Sequence, residues 1–119
     1  MVRKTDTERR VPWRVVSAMF EAAADLRGLE TWQILHVTNK RKPSHARFAI
    51  MWALRQYGIV WTDIGRWLGM SDHVGAIHGV KVATLLREGD QEYEMHTDML
   101  LDLLHREMAE EFGLDQEAA

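Results

Sequence analysis

Apolar residues return every three or four positions along most of the chain, the signature of helices with one buried face. Strand-like alternation is hard to find. The first such stretch, 12–26, carries Val15, Val16, Met19, Phe20 and Ala23 at helical spacing and closes at Arg27-Gly28. A short second helix is predicted over 31–36, with Thr31 as its N-cap. A third covers 44–57, where Phe48, Met51, Trp52 and Arg55 keep the rhythm until Gly58 stops it. Pro12 and Pro43 each stand just before a helical pattern, where a fixed φ and a missing N–H do least harm.

A fourth, short helix is predicted over 61–68, with Asp63 in its first turn and Gly69 as the residue that follows its C-cap. Only Met70 and Ser71 separate it from a fifth over 72–87, so two helices join through a glycine-containing turn of about three residues, the helix-turn-helix pattern. Gly89 ends the fifth helix. A sixth, over 92–112, stacks Leu100, Leu104 and Met108 against a face rich in acids. The expected fold is all-α: a compact bundle of about six helices containing a helix-turn-helix, in one domain over 12–112 with flexible tails at 1–11 and 113–119. Trp52, Trp61 and Trp67 lie within amphipathic stretches, so the five tryptophans read as core.

A chain of 119 residues with 46% apolar and 28% charged residues can bury one core and no second. The absence of cysteine removes disulfides, thiolate metal sites and a cysteine nucleophile. No run approaches the roughly 20 apolar residues of a membrane helix, and the N-terminus lacks a signal-peptide core. A cytoplasmic, nucleoid-associated protein with no membrane contact is expected. The net charge of −3 conceals an asymmetry. Residues 1–66 hold 12 basic and 6 acidic groups, a balance of +6, and residues 67–119 hold 3 and 12, a balance of −9. Phosphate attraction is screened beyond about 8 Å at physiological salt, so a local basic patch matters more than the total.

In the fifth helix Ala76, Ile77, Val80, Ala83 and Thr84 share one arc and are expected to face the core. The opposite arc holds Val74, Gly75, His78 and Val82, with Lys81 at its edge. A solvated face is ordinarily filled with Glu, Lys and Gln, so this one asks for a partner. A DNA major groove provides one: Val74 against a thymine methyl, His78 on a base edge, Gly75 permitting close approach, and Asp72 and His73 at the helix start. Packing of Val74 and Val82 under the last helix is the competing explanation. The run Lys40-Arg41-Lys42, with His45 and Arg47 behind it, reads as a flexible basic loop able to enter a minor groove or clamp phosphates, or as a plain solvated loop. Gly75 and Gly79, four apart in one helix, imply close approach, by a ligand or within the monomer. The six histidines lack matched metal-ligand spacing, and no phosphate-binding loop or catalytic setting is recognisable, so no catalytic residue, cofactor or metal is expected and the chain does not read as an enzyme.

The segment Asn39-Lys-Arg-Lys-Pro-Ser-His-Ala-Arg47, then Phe48 to Leu54, then Asp63-Ile-Gly-Arg-Trp-Leu-Gly-Met-Ser-Asp-His73 through His78, resembles the C-terminal DNA-binding domain of the bacterial replication initiator DnaA. The similarity covers about residues 15 to 90. It implies a Trp-repressor-like helical fold, a minor-groove role for Lys40, Arg41 or Lys42, and a backbone or base contact for Arg47. It also implies a major-groove surface of Ser71, Asp72, His73, Val74, Gly75 and His78, and a phosphate contact for Lys81. Val74-Gly75 stands where that family usually has two threonines, Ser71 where it has an arginine and Phe48 where it has a glutamine. At roughly 1–3 kcal/mol of discrimination per good base contact, these changes are expected to weaken or redirect site choice relative to the ordinary initiator box.

The 119 residues show no phosphate-binding loop of the family's ATPase domain, so a stand-alone DNA-binding piece is expected. The resemblance therefore implies double-stranded DNA as partner and a role in replication or transcription, the latter including activation of phage-like or gene-transfer-agent genes. RNA polymerase or a replication protein is a second expected partner, and the oligomeric state expected is a monomer or weak dimer. A protein-interaction adaptor that uses the same helical face or the acidic last helix is the alternative from another class.

Overall fold

A computed structural model of the protein describes residues 10–113, and these form helices joined by short turns, with no strand among them. The helices are α1 (Trp13–Leu26), α2 (Thr31–Ile34), α3 (Arg41–Tyr57), α4 (Trp61–Trp67), α5 (Val74–Gly89) and α6 (Gln91–Phe112). The all-helical expectation holds, as do the order and number of the elements. No helix among the described residues is long and apolar enough to cross a membrane.

Several helix ends have a local cause. The side chains of Glu30 and Gln33 form a capping box at α2, so Glu30 is the N-cap and Thr31 the first helical residue rather than the cap. Asp90 caps α6 by accepting the Tyr93 N–H at 3.1 Å. Gly58 ends α3 at φ 105, a left-handed conformation that favours glycine. α3 starts at Arg41, ahead of the predicted start at 44, because Pro43 occupies its first turn, where backbone N–H groups have no intrahelical partner and the missing one costs nothing.

α3 is the axle of the fold: it touches all five other helices, and Ala46, Ala49, Ile50, Met51, Ala53 and Leu54 are all buried. α6 closes one side through Tyr93, Leu100, Leu104 and Met108. Arg87 near the end of α5 locks this arrangement. Its Nη1 donates to Thr97 Oγ1 at 2.5 Å and to Asp98 Oδ1 at 2.8 Å, and its guanidinium lies 4.0 Å from the Trp52 ring centroid. Val11 is buried with the core, so the folded unit starts earlier than residue 12. The predicted tails otherwise fall at 1–9 and 114–119, outside the described residues, apart from Arg10, which is exposed, and Gly113, the left-handed C-cap of α6.

The tryptophans divide. Trp52 is buried, and Trp61 and Trp67 pack half-buried against the core, whereas Trp13 and Trp32 are exposed. Trp13 stacks on Trp67 at 5.6 Å, so its exposed ring still serves packing.

Candidate nucleic-acid interface

α4, a six-residue turn (68–73) and α5 follow one another in the chain. The turn is longer than the sequence suggests. Gly69 takes φ 75, Met70 N–H returns to Gly65 O at 2.8 Å, and the Asp72 carboxylate accepts the Val74 N–H at 3.0 Å, so regular helix begins only at Val74. A Cβ on Gly65 would lie 3.0 Å from the Asp72 carbonyl oxygen, so a glycine there lets the turn fold back against α4. Arg66, Ser71, Asp72 and His73 border a hollow of about 330 Å³ in the elbow.

α5 is rolled relative to its predicted orientation. Ala76, Gly79 and Ala83 are buried, with Val80 and Leu86 packed beside them. Ile77 and Thr84, expected in the core, are exposed, and Thr84 turns its hydroxyl back to Val80 O. Gly75 and Val82, expected outward, are half-buried. The reason is Gly79: α5 rests on α3 there so closely that a Cβ would overlap Met51 and come within 2.8 Å of the Phe48 ring. The space a Gly75 Cβ would need is taken by Met70 Sδ at 2.8 Å, so this glycine serves the packing of the turn rather than the approach of a ligand. What remains outward is a stripe of Val74, Ile77, His78, Lys81 and Leu85, with Val74 60% and Leu85 62% exposed.

The basic run is not a flexible loop. Lys40 is the N-cap of α3 and Arg41 and Lys42 form its first turn, all three exposed. Two bonds fix the entry: Lys40 N–H to Thr38 Oγ1 at 3.1 Å and Ser44 Oγ–H to Thr38 O at 2.7 Å. Cations here oppose the positive end of the helix dipole, which raises the attraction of the site for an anion. Arg14, Arg66 and Arg87 have carboxylate partners. Lys40, Arg41, Lys42 and Lys81 have none among the described residues. A row of rings joins the two regions, with His45 and Phe48 6.2 Å apart and Phe48 edge-on to His78 at 5.8 Å.

Arg47 corrects the sequence expectation most sharply. Instead of reaching a phosphate or base, it is 2% exposed and donates to Ile34 O at 2.9 Å and to Leu68 O. Burial pushes its guanidinium below the ordinary arginine range, and the two carbonyls compensate the lost hydration. Ser71, Asp72, His73, Val74, His78 and Lys81 are all exposed on the turn and on α5. No group of three or more metal-ligating side chains is gathered among the described residues.

Comparison of the chain with protein-family models, with curated proteins and with solved structures finds no match. The interface is therefore argued from its own geometry. Sequence reasoning missed Ile77 and Leu85, although Ile77 lies three residues after Val74 and four before Lys81, the spacing of one helical stripe.

Proposed function

We propose that the chain is a sequence-specific double-stranded DNA-binding module of the kind found at the C-terminus of the replication initiator DnaA. α4 and α5 serve as its helix-turn-helix and the basic start of α3 as a phosphate or minor-groove grip. One observation carries this reading: the exposed apolar, histidine and lysine stripe of α5 meets the Phe48 ring of α3, the helix whose start exposes Lys40, Arg41 and Lys42 with no carboxylate partner among the described residues. Val74 and Ile77 suit thymine methyl groups, His78 a base edge, and Lys81 a phosphate. Such a module acts as a regulator of replication or transcription in the cytoplasm, at the nucleoid, as a monomer or weak dimer. Selection of bound duplexes from a random library, followed by titration of the recovered duplex at several salt concentrations, tests it. A recovered consensus with steep salt dependence is expected, and sequence-blind binding or none overturns the reading.

A second role is favoured by one feature of α6. Met99, about half exposed, borders a hollow of about 210 Å³ between α1 and α6 together with Ala22, Leu26 and Leu103, and the similarly exposed Met95 lies one helical turn before it. Flexible methionines among acids suit a basic segment of a partner protein such as RNA polymerase or a replication factor. Light scattering with that partner in the absence of DNA checks it, and association only when DNA is present speaks against it.

A further inference from the structure

The end of α1, the start of α3 and the start of α6 meet at Tyr93. The Arg27 guanidinium lies 5.4 Å from the Tyr93 ring centroid, and the His45 ring stands edge-on to it at 6.3 Å. The Tyr93 hydroxyl donates to His45 O at 2.7 Å, which holds this turn of α3 against α6. Arg41 precedes His45 by one helical turn on the same face of α3. Two basic side chains, Arg27 and His45, thus share one ring, and a third, Arg41, stands one helical turn from His45. Among the described residues none of the three has a carboxylate partner, and Arg27 Nε is buried without any acceptor. The acid whose charge reaches Tyr93, Asp90, is already engaged in capping α6.

Like charges placed together without an acid cost folding free energy, and a buried donor without an acceptor adds to that cost. One anion beside these side chains relieves the first strain. The charges of Arg27 and Arg41 do reach His45, since each, together with burial, disfavours its protonation. The ring contact of His45 with Phe48, and of Phe48 with His78, places the cluster next to the outward stripe of α5.

We infer that Arg27, Arg41 and His45 form a phosphate-binding site outside the helix-turn-helix that grips a backbone phosphodiester of duplex DNA. The inference rests on the DNA-binding reading above. It adds α1 to the interface. The two guanidinium groups supply paired donors for the non-bridging oxygens, and the imidazole supplies a third N–H. Such a contact sets register and carries no sequence information.

The test is a salt titration from 50 to 200 mM on the duplex recovered by selection, with the wild-type chain, R27Q, R41Q and R27K. Each lost phosphate contact lowers the log–log salt slope by about 0.9, so the loss of affinity across that range becomes about 3.5-fold smaller in R27Q and R41Q. R27K keeps the wild-type slope, and the preferred sequence is the same for all four proteins. Arg27 is half-buried over Tyr93, so its variants are first compared by thermal melting; R41Q, at an exposed position, reads the same site without that contact. Unchanged slopes in both glutamine variants, with a wild-type chain that binds selectively, overturn this site and leave the DNA-binding reading intact. A wild-type chain that selects no duplex overturns both. A shift of the His45 resonances with millimolar inorganic phosphate, with duplex slopes unchanged in the variants, marks a free-phosphate site and also overturns the inference.

Discussion

The guanidinium of Arg47 donates to the carbonyl oxygen of Ile34 at 2.9 Å, and its other arm reaches Leu68 O, so one buried side chain ties α2 and the end of α4 to the central helix. Both acceptors are carbonyls that their own short helices leave without an intrahelical partner. Truncation removes the bonds, strands two acceptors and opens a cavity. Arg47→Ala is expected to lower unfolding free energy by about 2–4 kcal/mol, measured by chemical denaturation. Affinity of the folded protein for its DNA is expected to stay the same. A variant with native stability and weakened DNA binding would return Arg47 to the interface.

The two glycines of α5 are expected to respond with opposite signs. Gly79→Ala must displace the buried Met51 and the Phe48 ring, so overpacking of about 1–3 kcal/mol outweighs the gain of about 1 kcal/mol in helix propensity. At Gly75 the obstacle is the sulfur of the half-buried, flexible Met70, so Gly75→Ala is expected to be neutral or stabilising by up to about 1 kcal/mol. Parallel denaturation curves decide it, and equal effects at both positions would contradict the packing described.

Single alanine substitutions at Val74, Ile77 and His78 are each expected to weaken binding to the selected duplex by about 1–3 kcal/mol. Stability is expected to move by less than about 0.5 kcal/mol for Val74→Ala and His78→Ala, at exposed positions, and by more for Ile77→Ala, which is only 36% exposed. Replacement of thymine by uracil at the contacted positions would reproduce the Val74 or Ile77 effect from the DNA side. Anisotropy titrations that show no loss in any of the three variants would mean that α5 presents another face.

His45 links two pH effects of opposite direction. Burial first, then the charges of Arg27 and Arg41, hold its pKa in the folded protein below the ordinary value of about 6.5. The groups that face it are Arg27 from α1, Arg41 on α3 and Tyr93 from α6, with His78 of α5 across the Phe48 ring. As pH falls below about 6.5 the unfolded chain takes up the proton first, so stability is expected to decline until the folded-state pKa is also passed. A phosphate beside the imidazole favours the protonated form, so affinity for DNA is expected to rise over the same window. His45→Gln should flatten His45's share of both responses, as followed by melting temperature and by titration between pH 7.5 and 5.5. A wild-type affinity that falls on acidification would contradict the second half.

The helices were legible because their cause is local. Val15, Val16, Met19 and Phe20 on α1, and Leu100, Leu104 and Met108 on α6, repeat at the helical period and are buried as that period requires. Gly58 and Gly69 mark helix ends through a backbone conformation that needs no distant partner. The exposed positions of Lys40, Arg41, Lys42, Val74, His78 and Lys81 could likewise be inferred from composition and spacing.

The roll of α5, the burial of Arg47 and the gathering of Arg27, Arg41 and His45 could not be read in this way. A hydrophobic period treats Gly79 as empty, yet its missing side chain is what lets α5 settle on Met51 and Phe48, and that contact chooses which residues face outward. An arginine after a basic run looks like a ligand contact until two carbonyls from α2 and α4 are brought to it. By itself the sequence determined which segments are helical and where they stop, since hydrogen bonding and side-chain period act over a few residues. The tertiary structure alone decided which cations are spent on the fold and which have no acidic partner among the described residues, because pairing depends on groups that meet only after the helices pack.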